Sequence, residues 1–177
     1  MDIEYCTGCG APTELKIPAD DDHARSICTR CGRVHYDNPK MVVGCIPELN
    51  GQVLLCKRNI EPRKGKWTLP AGYLENGESV QDGAVRETRE ETLADVENVE
   101  PYRVFNIVSV HQVYFMFRAD LVSDNFGPTS ESSEVRLFQE RDIPWDEIAF
   151  SSIQKTLEHY FKDRKTNNFL FKIFDII

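Results

Sequence analysis

The sequence predicts an α/β protein in two parts, a small cysteine-rich zinc ribbon over residues 1–37 and a larger domain of sheet and helices behind it. Three observations predict it. Four cysteines stand near the N-terminus as two Cys-x-x-Cys pairs, a strong hairpin signal follows at Asn50-Gly51, and the stretches near 79–93 and 151–161 read as helices between runs of β-forming residues.

Residues 1–37 hold too few large apolar side chains for a core of their own. Cys6-x2-Cys9 and Cys28-x2-Cys31, eighteen residues apart, match the spacing of a four-thiolate zinc site in which each pair chelates from one tight knuckle. Four protein ligands leave no open position for water, so the zinc is assigned to folding and not to catalysis. Disulfide pairing is the alternative. It fits poorly with an N-terminus that shows no basic flank followed by an apolar run. His23 and His35 are competing ligands for which four thiolates leave no place.

A domain boundary is expected near Asn38-Pro39, with the second domain running over 38–163. There Met41–Ile46 and Gln52–Cys56 form two strands around the Asn50-Gly51 turn, and Cys45 and Cys56 read as buried small apolar residues. A loop rich in Pro, Lys and Gly at 61–66, then Trp67-Thr68-Leu69-Pro70 and a turn-rich 71–77, lead to a helix from about Ser79 to Leu93. Val80, Ala84, Val85 and Thr88 form its apolar stripe, and Ser79 with Asp82 resembles a capping box. Strands are expected at about 102–110, 112–121 and 135–139, and a second helix over 151–161 with Ser151 and Gln154 as its capping pair. The tail, 164–177, carries Phe169, Phe171, Phe174 and two terminal isoleucines, and would dock on the domain or on a second subunit.

Apolar residues at 41% and charged residues at 28% are ordinary for a folded chain. The formal charge of −8 argues against sequence-independent binding to a nucleic-acid backbone. No run approaches the ~20 apolar residues of a membrane span. A soluble, cytoplasmic protein with a small-molecule partner is expected, and an acidic chain acting on phosphates needs cations between the like charges.

The chemistry concentrates between Ala71 and Glu91. On a helix Glu87, Glu90 and Glu91 lie at i, i+3 and i+4, so three carboxylates share one face and repel one another. A hard divalent cation resolves that repulsion, since Mg²⁺ prefers oxygen ligands and bridges carboxylates to substrate phosphates. The plainer alternative is a solvated helix held by pairs such as Arg86 with Glu90. Glu78, eight positions before Arg86, could orient the acidic face through a loop-to-helix ion pair.

This segment resembles the Nudix box, G-x5-E-x7-R-E-U-x-E-E-x-G-U with U aliphatic. Gly72, Glu78, Arg86, Glu87, Glu90 and Glu91 match at the required spacing. The departures are Thr88 at an aliphatic position, Ala94 as a small final residue, and Leu93 where Gly normally permits a left-handed helix exit. The resemblance implies an α/β/α sandwich around a mixed sheet. Glu87, Glu90 and Glu91 would be Mg²⁺ (or Mn²⁺) ligands, helped by the Ala71 carbonyl, with Glu78 and Arg86 bracing the loop. It further implies a base or ligand from a loop before a late strand, for which Glu131 and Glu134 are the candidates and Glu134 is preferred.

Members with a zinc ribbon include NADH pyrophosphatase-like enzymes. Those carry a Ser-Gln-Pro-Trp-Pro-Phe-Pro-x-Ser element that this chain lacks. The segments Tyr36–Cys45, Val53–Ile60, Trp67–Glu75 and Ala149–Ile153 are more similar to plant chloroplast-type ADP-ribose/FAD pyrophosphatases and their bacterial relatives. That similarity implies FAD or ADP-ribose as substrate and AMP as product, and together with the aromatic tail it allows a homodimer. Trp67 could stack on a base or pack under the loop, and Arg58 could grip a phosphate or pair at the surface. A non-hydrolytic nucleotide sensor and an RNA-cap hydrolase are the competing readings.

Overall fold

The structure, a computed structural model, describes residues 3–176. The chain divides into two units after Pro39. In the first, β1 (Thr13–Lys16), β2 (Arg25–Cys28) and β3 (Val34–His35) form an antiparallel sheet in that order. Gly10 and Gly32 follow the second cysteine of each pair at φ of 69° and 72°, a region a side chain would strain. Their N–H groups return to the carbonyls of Cys6 and Cys28, at 2.9 and 3.1 Å, so the two knuckles are copies of one turn.

The second unit is built on one mixed sheet. Its strands are β4 (Lys40–Leu49), β5 (Gln52–Arg58), β6 (Trp67–Thr68), β7 (Ala71–Tyr73), β8 (Val96–Ile107), β9 (Gln112–Leu121), β10 (Ser132–Phe138) and β11 (Lys172–Ile176). The path runs β10-β5-β4-β9-β8-β11, with β4–β9 and β8–β11 parallel and the other neighbours antiparallel. Helix α1 (Val80–Thr92) covers one face through Ala84, against Val43, Cys45 and Phe117. Helix α2 (Ser151–Arg164) covers the other, where Ile153, Leu157, Tyr160 and Phe161 pack on Ile46, Leu55, Leu69 and Met116. The result is the α/β/α sandwich expected from the resemblance. Among the described residues no helix is long and apolar enough to cross a membrane.

The Asn50-Gly51 turn forms with both residues at positive φ, 51° and 78°, as a tight hairpin requires. Yet β4 and β5 pair only beside it, at Glu48↔Val53 and Leu49↔Gln52. Further along they diverge, β5 pairing with β6 and β4 with β7. Two short strands are thus wedged into a split hairpin, and the segment from Trp67 to Tyr73 is fixed at both margins.

Ser79 caps α1 as expected, its hydroxyl accepting from the Asp82 N–H at 3.1 Å. At the other end Leu93 adopts the left-handed conformation that a glycine would take, φ 61°, and its N–H closes on the Arg89 carbonyl at 2.8 Å. The departure from the box leaves the backbone path unchanged because surrounding structure holds it, at the cost of a strained, exposed Leu. Leu93→Gly is therefore expected to raise stability by about 0.5–1 kcal/mol, the relief of strain being partly offset by unfolded-state entropy. A urea midpoint that moves down instead of up would contradict this.

Two expectations need correction. Helix α2 has Phe150, not Ser151, at its N-cap and no side-chain capping bond, so the Ser151–Gln154 pair does not form a box. The stretch expected as one strand to residue 110 ends at Ile107, and Val108–Val110 turn as a short 3-10 helix. The tail folds onto its own unit: Phe174 stacks on Phe105 at 5.6 Å and Phe169 on Tyr160 at 5.7 Å. Ile177 lies outside the described residues.

Candidate active site

The split hairpin sets Ala71 and Gly72 against the acidic face of α1. A Cβ at Gly72 would overlap the Glu87 carboxylate, so any side chain there would push that carboxylate from its present place. The Ala71 N–H donates to Glu91 Oε2 at 3.0 Å, and the Cys56 thiol lies 3.8 Å from the same oxygen. Glu91 is 6% exposed. Burial is the main cause that pushes its carboxyl up to about 7, opposed by the Ala71 N–H and reinforced by Glu87. Burial likewise raises Glu87.

Arg86 organises the rest. Its Nε and Nη2 grip Glu78 in a two-pronged pair, at 2.9 and 2.7 Å, while Nη1 reaches Glu87 at 2.7 Å and Glu90 at 3.0 Å. Nη2 also donates to the Tyr73 carbonyl at 3.1 Å, tying β7 to α1. Held by Arg86, the Glu78 carboxyl falls to about 2. One guanidinium thus clamps loop, strand and helix into a single piece.

Arg86 and the three helix acids line a cleft of about 490 Å³, with Glu78 outside it. Glu61, Glu75, Glu87, Glu90, Glu91 and Glu131 face it against only two cations, Arg58 and Arg86. Glu91 is buried, Glu87 half-buried and the other four exposed, and this surplus of carboxylates fits a hard divalent cation, which supplies the missing charge through oxygen ligands. The three helix acids share the wall without closing into a cage: among the described residues their oxygens do not all lie within 4.8 Å of one another.

Other candidates divide. Arg58 lines the cleft, its Nε donating to the Pro62 carbonyl at 2.8 Å and its guanidinium 5.3 Å over the Phe150 ring. Glu131 lines it too, and its charge is felt by both Glu87 and Glu91. Glu134, the preferred choice, points elsewhere and pairs with Arg136 at 3.0 Å and Lys57 at 3.8 Å. The reason is a bulge between Ser132 and Glu134, which changes the face presented by β10. Trp67 is likewise not on the cleft. It is 4% exposed and meets Phe138 edge-on at 4.9 Å inside the core, so its ring is closed to a base. Tyr114 and Phe150 also line the cleft; the sequence assigns neither a role there, because the two segments converge only in three dimensions.

In the first unit the Sγ atoms of Cys6, Cys9, Cys28 and Cys31 lie within 4.8 Å of one another. Backbone N–H groups of Gly8 and Arg30 point to Cys6 and Cys28 at 3.4 Å, a pattern suited to thiolates. The Cys9 thiol is lowered to about 6, chiefly by a backbone bond with Ala11 and then by Arg30. The donor set and its geometry fit a tetrahedral metal site.

Residues 38–160 match the NUDIX domain family, and residues 4–37 match the zinc-ribbon family described as Nudix N-terminal. The chain belongs to the Nudix hydrolases. A crystal structure of a NUDIX hydrolase from Nitrosomonas europaea superposes with a TM-score of 0.94 at 47% identity, covering 98% of this Nudix chain and 99% of that one. The ADP-ribose pyrophosphatase of Methanocaldococcus jannaschii is 28% identical over 137 residues, 72% of this chain and 76% of its own length. The NAD-capped RNA hydrolase NudC of Pseudomonas aeruginosa is 32% identical over 135 residues, 73% of this chain but 45% of its own length. The Nudix chain therefore spans less than half of that relative.

Proposed function

We propose that this Nudix hydrolase cleaves the pyrophosphate of a nucleoside-diphosphate derivative, FAD or ADP-ribose, releasing AMP with FMN or ribose 5-phosphate. The observation that carries the reading is the Glu91 carboxylate, buried on a cleft whose walls hold a surplus of acid. Glu87, Glu90 and Glu91, with the Ala71 carbonyl, would hold Mg²⁺ or Mn²⁺. That ion would supply charge neutralisation of the diphosphate and an activated water. Glu131, which lines the same cleft, would accept the proton, Arg58 would supply a cationic contact for a phosphate, and Arg86 with Glu78 would keep the acidic face aligned. The four thiols would hold Zn²⁺ as a fold-forming ion, and all four ligand positions would be filled by protein.

The test is AMP release by purified protein with Mg²⁺ from FAD, ADP-ribose, NADH and NAD-capped RNA, with Glu87→Gln as control. The likeness to NudC favours capped RNA as the second reading, and preferential turnover of the capped oligonucleotide would select it. Binding without release of AMP would instead indicate a sensor. Within the proposed reaction, Glu131→Gln is expected to lower kcat by about 10²-fold or more, the usual worth of a positioned base. Glu134→Gln, which disrupts only the surface ion pairs with Arg136 and Lys57, should stay within about twofold. The reverse ranking in steady-state kinetics would return the role to Glu134.

A further inference from the structure

The second unit holds another cavity, of about 540 Å³, lined by Gly51, Gln139, Glu140, Arg141, Trp145 and Arg164. None of these residues lines the acidic cleft. Two elements measure the separation. Strand β5 runs from beside Gly51 to Arg58, which lines the cleft, and α2 runs from its N-cap Phe150, also on the cleft, to Arg164. Seven strand residues and fourteen helical ones each span roughly 20 Å.

The two linings differ in charge. Six carboxylates face the cleft against two arginines. Here two arginines meet one carboxylate, Glu140, and Lys165 Nζ holds that one at 3.1 Å. Arg164 is half-buried at the end of α2. Its Nη1 donates to the Gly51 carbonyl at 2.7 Å and its guanidinium lies 4.8 Å over the Phe161 ring, but among the described residues no carboxylate pairs with it. Arg141 is exposed, and its acid partner Asp142 stands 3.7 Å from Nε, beyond a hydrogen bond.

A partly desolvated guanidinium costs free energy unless an anion shares its donors. In a chain of formal charge −8, two such under-neutralised arginines on one cavity need a reason. Tying the hairpin turn to the helix explains the bond from Arg164 to Gly51, but neither the cavity nor Arg141. Exposed Gln139 adds an amide to the lining, and half-buried Trp145 adds an apolar ring. The volume is within the usual range for a small-molecule site.

We propose that this cavity is a second, metal-independent anion site, which takes a phosphate group, free or on a monoester of mononucleotide size, through Arg164 and Arg141. The site does not depend on the hydrolase reading.

The experiment is calorimetric titration of the full chain with inorganic phosphate and, separately, with AMP. No divalent cation is added, so that the acidic cleft repels both. Saturable binding is expected, weakened by salt. Arg164→Gln should reduce affinity by roughly 10- to 100-fold, and the exposed Arg141→Gln by about two- to fivefold. Arg58→Gln, on the cleft, should leave it unchanged. Should loss of the Gly51 bond disturb the hairpin, Arg141→Gln keeps the test open, because that side chain is exposed. AMP binding more tightly than phosphate, with the difference lost in Trp145→Leu, assigns a monoester whose organic part rests on the ring. AMP binding no more tightly assigns free phosphate. No saturation, unchanged affinity in both variants at Arg141 and Arg164, or loss in Arg58→Gln alone would overturn the site.

Discussion

Replacing Glu91 with Gln is expected to lower kcat for AMP release by about 10³-fold or more while making the protein more stable. The substitution keeps shape and an oxygen to accept from the Ala71 N–H, so the local fold has no reason to change. What it removes is charge. A carboxylate 6% exposed, with one backbone N–H and a thiol as its hydrogen-bond partners, is costly to keep ionised, which is why burial drives its carboxyl up to about 7. Neutral replacement of such a group commonly stabilises by about 1–2 kcal/mol. The same group, as an anion beside Glu87, is what makes the wall a cation site, so activity and stability should move in opposite directions. Kinetics and urea unfolding on one preparation decide it. Retention of activity within tenfold would mean that Glu91 is a structural acid.

Trp67→Ala should cost about 3–5 kcal/mol, the range for deleting a large aromatic from a packed core, and should leave KM of the folded fraction nearly unchanged. Trp67 sits against Phe138 and is held on β6 beside Lys57, and its backbone carbonyl accepts from the Ala149 N–H at 2.8 Å. Loss of the ring therefore opens a void under the loop that carries the site. A variant losing under 1 kcal/mol in urea but showing a tenfold higher KM would reinstate Trp67 as a base platform.

The contrast between Trp67 and Glu91 shows what the sequence made legible. Periodicity fixed the acids, since positions 87, 90 and 91 of one helix can only share a face. The Asn50-Gly51 turn was equally plain, because few residue pairs adopt two consecutive positive φ values. Trp67 was ambiguous because an aromatic residue beside a glycine-containing loop has the same local signature whether it faces solvent or core. The choice between Glu131 and Glu134 turned on a bulge, one extra residue in β10 that no local pattern announces. Phe150 and Tyr114 lie far apart in sequence and are joined only by the packing of α2 on the sheet. Leu93 misled in the other direction: its chemistry disfavours the left-handed exit, and tertiary context imposes it anyway.

The loop between β5 and β6 contributes Ile60, Glu61 and Pro62 to the mouth of the cleft, yet its ends are stitched together. Gly65 N–H meets the Arg58 carbonyl at 2.8 Å, and Arg58 N–H meets the Lys66 carbonyl at 2.9 Å. Lengthening such a bulb costs little closure entropy, about 0.6 kcal/mol per doubling, and the helix that carries the acids need not shift. The entrance can thus be retailored over evolution as an independent cassette, with new guests admitted while the hydrolytic machinery behind it is inherited intact.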